Sequence, residues 1–444
     1  MKPYYLFALL LIQSCNKIGT DNKHGAPGES YPSFSNDGAW CWFSDPRAVY
    51  FEGKFKRTYG GWIDSHGNVM VGFYDHESHV MENDTIHKDL EIDDHDAPSL
   101  LLERNGTIQV YYTRHAKNEG IYFTHSLEPE NIHVWSDTKL LALNDTLSGL
   151  GFSKTYTYTN IVRLKKESGR LFLFWRGLDF KPNVSFSDDN GQSWSIGKIL
   201  ILPERSYKDR RPYMKVTSDG ERCIHIAFTD GHPRNEATNS IYYLAYRNDQ
   251  FQKASGELIS LWDELPLDPT VCDIVYDATI TGEKAWIWDI AQDKNGSPVL
   301  VYVRFKDDMN HIYYYAVYEN GSWQNHELVN SGKWFPHTPE GETEREPNYS
   351  GGVVLDHQDP SRVFLSRNKE GVFEIEKWET NNNGKDWLVT PVTENSANDN
   401  VRPFVVRHYP DSESPLVLWM NLKEYTHYTN YNSSIKYYLD HPKK

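Results

Sequence analysis

Residues 169–176 read Gly-Arg-Leu-Phe-Leu-Phe-Trp-Arg, a turn-forming residue followed by a run of apolar residues. Such a run, bounded by a turn residue, is typical of a buried β-strand. Six further segments repeat this pattern, at residues 67–75, 106–113, 222–229, 296–303, 361–366 and 414–420. Their first residues lie about 58 residues apart on average, which fits the roughly 40–60 residues of a four-stranded blade. The repeats predict an all-β fold, a seven-bladed β-propeller.

The stretches between these repeats support the same fold. Shorter strand-like runs occur at residues 121–124, 241–245 and 312–316, whereas the periodicity of amphipathic helices is scarce. Many short strands at regular spacing are also found in sandwiches and barrels. The period of the repeats favours a propeller over these alternatives.

Ser187-Asp-Asp-Asn-Gly-Gln-Ser-Trp194 resembles the Asp-box of sialidase-like propellers. Its Asp and Gly shape a tight turn between outer strands, and its Trp packs into the blade. Thr380-Asn-Asn-Asn-Gly-Lys-Asp-Trp387 is a degenerate copy in which Asn replaces Asp. We expect both boxes to be structural rather than catalytic.

Composition excludes several classes of protein. The 444 residues carry a formal net charge of −16. Hydrophobic residues make up 39% of the chain, and aromatic residues make up 14% of the chain. This is ample for a packed core and too aromatic for a disordered chain. The negative balance without a Lys/Arg-rich run argues against a nucleic-acid partner. A mean hydropathy of −0.67 excludes a protein with several membrane spans.

The first residues predict export. Lys2 is followed by a short apolar run that ends at Gln13-Ser14-Cys15. The pattern resembles a bacterial lipoprotein signal, residues 1–15, in which Cys15 is the lipidated residue; an ordinary signal peptide with a coincidental Cys is the alternative. Residues 16–34 are predicted to be a flexible tether and residues 35–444 a single propeller domain. We expect a monomeric lipoprotein attached to the outer membrane through Cys15, or an extracellular protein.

Three cysteines remain after Cys15, namely Cys41, Cys223 and Cys272. An odd and sparse set in an exported chain does not form a disulfide framework. The stability of the domain must therefore come from burial of apolar surface.

Active sites of propellers gather where loops from several blades converge on one face. His95 precedes a strand-like segment and His115 ends the next one, which predicts an antiparallel pair with both imidazoles on one rim. Singly, each His is more often a structural hydrogen-bonding residue. Together with a Tyr and an Arg at neighbouring blade ends they suggest chemistry, because His titrates near neutrality, Tyr can pass a proton and Arg holds a carboxylate with two hydrogen bonds.

Several motifs resemble the BNR-repeat propeller group, which contains the ulvan lyases of polysaccharide lyase families 24 and 25. They are residues 40–47, Asp94-His95, Arg114-His115, Arg211-Pro-Tyr213 and residues 225–233. Family 25 is the more similar of the two. The resemblance implies β-elimination at the 4-oxygen of a uronate in a sulfated, ulvan-like polysaccharide of rhamnose 3-sulfate linked to glucuronate or iduronate. The product would carry a 4,5-unsaturated uronate.

The resemblance also implies site residues. His95 would be base or acid, Tyr158 its partner, Arg176 the group that neutralises the carboxylate, and His115 a binding or assisting residue. Tyr156 lies two positions away and competes with Tyr158 for its role. The implied substrate-binding residues are Arg114, Arg211, Tyr213 and Arg304. A polyanionic substrate requires a locally basic cleft in this acidic protein, which Lys154, Arg114, Arg176, Arg210 and Arg211 could supply.

Cys223 and His225 lie two residues apart on a predicted strand and hence on one face. In some ulvan lyases of the group, a Cys-x-His pair and two further His hold a structural zinc ion. The resemblance therefore implies a zinc site at Cys223 and His225, with His357 as a third ligand. A buried Cys and His without metal is the alternative, and the elimination itself requires no cofactor when Arg neutralises the acid.

Two other functions stay open. One is a propeller glycoside hydrolase cleaving a rhamnosyl-glucuronate linkage, which would need two carboxylates facing the glycosidic oxygen. The other is a glycan-binding lipoprotein without catalysis, using the same aromatic and basic cleft. The presence of His95, His115 and Arg176 together favours the lyase.

Overall fold

The computed structural model describes residues 31–143, 154–203, 210–410 and 415–439. In these ranges the strands form seven antiparallel sheets, each of four strands except for the fourth sheet, which has six. The first three sheets comprise β2 (Ala48–Glu52), β3 (Lys56–Ile63), β4 (Val69–Asp75) and β5 (Met81–His87); β6 (Ser99–Leu102), β7 (Ile108–Tyr112), β8 (Ile121–His125) and β9 (Lys139–Leu141); and β10 (Thr157–Leu164), β11 (Arg170–Arg176), β12 (Pro182–Ser187) and β13 (Lys198–Ile199).

The fourth sheet comprises β14 (Met214–Ser218), β15 (Ile224–Thr229), β16 (Ile241–Arg247), β17 (Gln250–Gln252), β18 (Leu258–Leu261) and β19 (Asp273–Tyr276). The last three comprise β20 (Lys284–Gln292), β21 (Pro298–Asp307), β22 (Asn310–Glu319) and β23 (Ser322–Gly332); β24 (Val353–Leu355), β25 (Arg362–Lys369), β26 (Val372–Glu379) and β27 (Leu388–Pro391); and β28 (Asp399–Val405), β29 (Leu416–His427), β30 (Asn430–Leu439) and β1 (Ser33–Ser35). The predicted seven-bladed β-propeller is confirmed.

Helical structure is slight in the described ranges. It consists of α1 (Ala278–Thr281) and short 3₁₀ turns at Asp94–Asp96, Leu178–Phe180, Trp262–Glu264 and Pro269–Val271. No helix among the described residues has the length and apolar character needed to cross a membrane.

The ring closes by pairing the two ends of the chain. Strand β1 is hydrogen-bonded to β30, with Ser35 opposite Ile435, so the seventh sheet combines one N-terminal with three C-terminal strands. This closing strand begins at Ser33, inside the stretch predicted as a tether. The predicted signal with Cys15, and the remaining tether up to residue 30, lie outside the described residues.

Six of the seven sequence repeats form the second strand of a sheet, and the first repeat is β4, the third strand of its sheet. This difference explains why the first interval between repeats is the shortest. The two Asp-boxes join third to fourth strands as predicted. In the first box Ser187 Oγ accepts a hydrogen bond from Gly191 N at 2.8 Å, and Gly191 has φ +84°, a conformation that glycine adopts without strain.

The first strands of neighbouring sheets pack against one another around a central channel. The segment before β2 fills this channel, and Trp42 stacks on Trp288 with ring centroids 4.2 Å apart. Phe43 packs beside it against Tyr158 and Tyr213. At the end of the channel where the first strands finish, a cavity of about 1360 Å³ opens. The polar cluster that contains His95 lies at the opposite end.

Candidate active site

The cluster is built where the first strand of each blade begins. His95 lies in the 3₁₀ turn just before β6, and Tyr213 directly precedes β14. His115 follows the end of β7 and Arg176 ends β11, both second strands. Because second strands run antiparallel to first strands, their ends lie beside the starts of the first strands. The structure thus brings the predicted residues of three blades to one rim.

Two imidazole rings form the centre of the cluster. The rings of His95 and His115 are stacked, with centroids 4.2 Å apart and planes 5° from parallel. Asp93 lies between their inner edges, with Oδ1 2.6 Å from His95 Nδ1 and Oδ2 2.8 Å from His115 Nδ1. Tyr428 covers the edges of both rings. The Nε2 atoms are therefore the ring nitrogens left for other partners.

The electrostatics of the two histidines differ. Burial alone would lower the pKa of His95, but the adjacent Asp93 carboxylate, helped by Asp94, raises it well above its usual value. Burial and the neighbouring His95 lower the pKa of His115 to about 4. Both histidines in turn hold the pKa of Asp93 below its usual range, against the effect of burial. The two imidazoles therefore have opposite pKa shifts, upward for His95 and downward for His115.

Tyr158 joins this cluster through a distortion of its strand. The register between β10 and β11 shifts between Thr157 and Asn160, and Tyr158 itself has φ +61°. Such a bulge redirects a side chain, and it is costly for a residue other than glycine. The Tyr158 ring lies 5.4 Å from the His95 ring, whereas Tyr156 stacks on Trp175 in a separate apolar cluster. The bulge separates two tyrosines that the sequence pattern places on one face.

Arg176 lies across from His115. Its Nη2 is 3.4 Å from His115 Nε2, and its Nη1 donates a hydrogen bond to the hydroxyl of Tyr213. The guanidinium also packs on the rings of Tyr158 and Tyr213, at 4.9 and 4.7 Å from their centroids. Only 6% of Arg176 is exposed. A buried cation without a carboxylate in hydrogen-bond contact, among the described residues, is suited to binding an anion.

The four predicted substrate-binding residues have different positions. Tyr213 is inside the cluster, and Arg211 lies at its edge with its guanidinium 4.0 Å from the ring of Phe180. Arg114 is paired with Glu119 at 3.1 Å and faces Glu91 at 3.7 Å. Arg304 lies outside the cluster, because it is held between aromatic rings of the fourth and fifth sheets, those of Tyr276, Tyr302 and Tyr314. Among the described residues no contact joins Arg304 to the cluster, and its role in substrate binding stays a prediction.

Two members of the cluster, Tyr349 and His232, have no role predicted from the sequence, although His232 lies in the motif at residues 225–233. Tyr349 has its hydroxyl 3.4 Å from His95 Nε2, although 254 residues separate the two. His232 packs on Tyr213 and Trp286, and its Nε2 lies 3.6 Å from Glu346. Tyr349 precedes β24 as His95 precedes β6. Both residues lie four positions before the first strand of a sheet. This shared position was the sequence signal that could have identified Tyr349.

The predicted zinc ligands do not form one site. Cys223 Sγ lies 3.3 Å from His225 Nε2, but His357 is bound elsewhere, with Nε2 3.2 Å from Asp289. His225 Nε2 also faces Gln292 at 3.0 Å, and Arg247 donates a hydrogen bond to Cys223 Sγ at 3.1 Å. Burial raises the pKa of Cys223 to about 11. Because His357 lies apart from the Cys223–His225 pair, the predicted set of three residues does not fit a tetrahedral zinc ion, which takes four ligands.

Comparison with known proteins adds three findings. A family model described as "BNR repeat-containing family member" matches residues 57–331. No curated protein sequence matches the chain significantly. Many solved structures share the fold.

One of these structures is a PL25 ulvan lyase bound to -[GlcA(1-4)Rha3S]-, with a TM-score of 0.68 and 14% identity, covering 92% of this chain and 94% of that one. Another is the polysaccharide lyase Uly1, with a TM-score of 0.56 and 12% identity, covering 95% of this chain and 94% of that one. At these identities the likeness shows the fold alone.

Proposed function

This chain belongs to the BNR repeat-containing family, and from that premise and the geometry of its cluster we propose that it is a polysaccharide lyase, which cleaves a sulfated, uronate-containing polysaccharide such as ulvan by β-elimination. The family resemblance predicted from the motifs is confirmed. The solved ulvan lyase with the same fold supports the proposal of substrate class.

One observation carries the proposal: a buried arginine lies beside a stacked histidine pair and two tyrosines. β-Elimination requires that the uronate carboxylate be neutralised, so that the proton on C5 becomes acidic. A base then removes this proton, and an acid protonates the departing 4-oxygen. Arg176, with little exposure and no carboxylate in contact among the described residues, is assigned to the substrate carboxylate. His95, His115 and Tyr158 supply the proton transfers around it.

The same geometry disfavours hydrolysis. A glycosidase needs two carboxylates that face the glycosidic bond. Asp93 is engaged with both histidines, and Asp94 binds the Arg402 guanidinium and the Tyr425 hydroxyl. Neither of these two acids is free to act as a nucleophile or a proton donor, so a hydrolytic mechanism would have to use another acid, such as Asp96, whose buried carboxylate has no hydrogen-bond partner among the described residues. We also propose that the chain is exported as a lipoprotein attached through Cys15. Mass spectrometry of the mature N-terminus tests this, because it shows whether the mature chain begins at a lipidated Cys15.

The decisive experiment incubates the purified chain with ulvan and follows the ultraviolet absorbance of 4,5-unsaturated uronate. We expect absorbance to rise with the wild type and not with His95→Ala. The exposed His66, outside the cluster, provides the matched control as His66→Ala. New reducing ends without absorbance would replace the lyase by a hydrolase. Binding of ulvan without either product would replace it by a glycan-binding protein.

A further inference from the structure

One buried carboxylate, that of Asp93, lies beneath the histidine pair. The Asp93 side chain is 4% exposed and lies at the start of the 3₁₀ turn that holds His95. Its Oδ1 accepts hydrogen bonds from the backbone N of His95 at 2.9 Å and from His95 Nδ1, and its Oδ2 faces His115 Nδ1. A single carboxylate thus orients two catalytic candidates from two different loops.

A carboxylate accepts hydrogen bonds and cannot donate them, so both Nδ1 atoms must carry protons. The protonation of each Nε2 atom depends on the partner that it faces. His115 Nε2 is 3.4 Å from Arg176 Nη2, and a guanidinium has only N–H donors. His115 Nε2 must therefore be an unprotonated acceptor, which makes His115 a neutral imidazole.

His95 has the opposite surroundings. Its Nδ1 lies near a second carboxylate, with Asp94 Oδ1 at 3.1 Å, and its Nε2 faces the Tyr349 hydroxyl, which can accept a proton in a hydrogen bond. Two imidazolium rings stacked 4.2 Å apart would repel each other strongly. One positive charge is favoured, and it belongs on the ring with two carboxylates.

We propose that Asp93 is the positioning residue that sorts the histidine pair into a proton donor, His95, and a proton acceptor, His115. An elimination needs both at once, since a proton leaves C5 while another reaches the 4-oxygen. In this scheme His115 Nε2 accepts the C5 proton, the C4–O4 bond breaks as the C4–C5 double bond forms, and His95 Nε2 gives its proton to O4. The inference rests on the proposed function for its chemistry, but not for the protonation states.

Other charged and titratable groups face the pair and will shape its pH dependence. Around His95 they are Asp93, Asp94, Asp96, Cys41, Tyr158, Tyr349, Tyr428, Glu346, His232 and His427; around His115 they are Asp93, Glu91, Arg176 and Tyr428. Of these, Asp93 alone has an oxygen within 3 Å of a nitrogen of each ring. Its substitution is therefore the selective test.

The test variant is Asp93→Asn in the full chain. An amide of the same shape can accept a hydrogen bond from one Nδ1 but presents N–H to the other, so one ring must change tautomer. We expect kcat for the ultraviolet product to fall about 100-fold with KM little changed, and the alkaline limb of the kcat profile to move to lower pH. Asp93→Glu should restore part of kcat because it restores the charge.

Asp96→Asn is the matched control. Asp96 lies in the same 3₁₀ turn and is equally buried, but its carboxylate oxygens have no hydrogen-bond partner in the described structure. We expect Asp96→Asn to keep the kcat and the pH profile of the wild type. Equal losses in both variants would mean that the turn is merely structural and would overturn the assignment to Asp93.

A second measurement does not depend on activity or on the folding of a variant. Long-range ¹H–¹⁵N spectra of ¹⁵N-histidine-labelled wild type at pH 7 report the protonation of each ring nitrogen. Within this pair, we expect His95 to be an imidazolium and His115 to be a neutral imidazole that is protonated at Nδ1. Two neutral or two charged rings would overturn the inference. If no polyuronate yields the ultraviolet product, the proposed function fails, while these spectra still decide the states of the pair.

Discussion

Asp94 and Arg402 form an ion pair in which neither side chain is exposed to solvent. The two residues lie 308 positions apart, Asp94 before the second blade and Arg402 in β28 of the seventh. Arg402 also donates hydrogen bonds to the Trp40 carbonyl and the Tyr425 hydroxyl. Its φ of +51° lies at a register shift in β28 that points the side chain into the channel. The pair therefore fixes the turn carrying His95 to the blade that closes the ring.

Removing one partner of this pair should be strongly destabilising. In Arg402→Met the Asp94 carboxylate stays buried without its cation, and we expect the free energy of unfolding to fall by about 3–5 kcal/mol. Urea unfolding followed by tryptophan fluorescence measures this. Lys56→Met removes a pair with Glu52 in which both side chains are about half exposed, and should leave the midpoint nearly unchanged. A loss below about 1 kcal/mol in Arg402→Met would contradict the role of the pair.

Arg176→Lys tests whether the guanidinium, rather than charge alone, binds the uronate. Lys keeps the positive charge but loses the fork that reaches both Tyr213 and His115. We expect kcat/KM on ulvan to fall by roughly 100-fold or more. Arg222→Lys, which alters an exposed arginine that precedes β15, is the control and should retain activity. Similar losses in both variants would remove Arg176 from the site.

Much of the fold could be predicted from the sequence because blade strands are local. Each repeat is a single buried strand that follows turn residues, so its apolar pattern is complete within six to nine residues. The ring closure by β1 could not be predicted, since its three residues carry too little pattern to separate them from a polar tether.

The candidate site was predictable only in part, for the same reason. His95, His115, Arg176 and Tyr213 stand beside strands that the pattern locates. The choice of Tyr158 over Tyr156 depends on a bulge, and the contact of Tyr349 with His95 depends on how the sixth blade faces the second across the channel. Neither the bulge nor the way in which the two blades face each other can be predicted from a local sequence pattern. His357 and Arg304 show the converse, because the family resemblance implied roles for them and the structure gives both residues other partners.

Buried neutral histidines should make the protein sensitive to acid. Burial lowers the pKa of His76, His115 and His225 to about 4 and that of His311 to about 3. The unfolded chain binds protons at these residues near pH 6.5 and the native chain does not, so stability falls as pH drops from 6.5 towards 4. Each group contributes a slope of about 1.4 kcal/mol per pH unit. The difference between the unfolding midpoints at pH 7 and pH 5 should be smaller in His311→Asn than in the wild type. An unchanged difference would contradict the assignment of the acid sensitivity to buried histidines.

Chelation should leave both activity and stability intact. Arg176 provides the positive charge that the uronate carboxylate needs, and Cys223 and His225 have Arg247 and Gln292 as partners. We expect dialysis against EDTA to change neither the rate of ultraviolet product formation nor the melting temperature. Loss of either, recovered by adding zinc, would show that a metal ion does occupy this protein.

Tyr158→Phe and Tyr156→Phe form a matched pair that tests the bulge in β10. The two residues are equally buried and differ by two positions, but only Tyr158 lies beside His95 and Arg176. Burial raises the pKa of Tyr158 well above its usual value, so its hydroxyl keeps its proton at neutral pH and can donate a hydrogen bond to substrate or to a departing oxygen. We expect Tyr158→Phe to lower kcat on ulvan by roughly 100-fold and Tyr156→Phe to keep it. The reverse result would return the role to Tyr156, and equal activity of both variants with wild type would leave the proton transfers to the histidine pair alone.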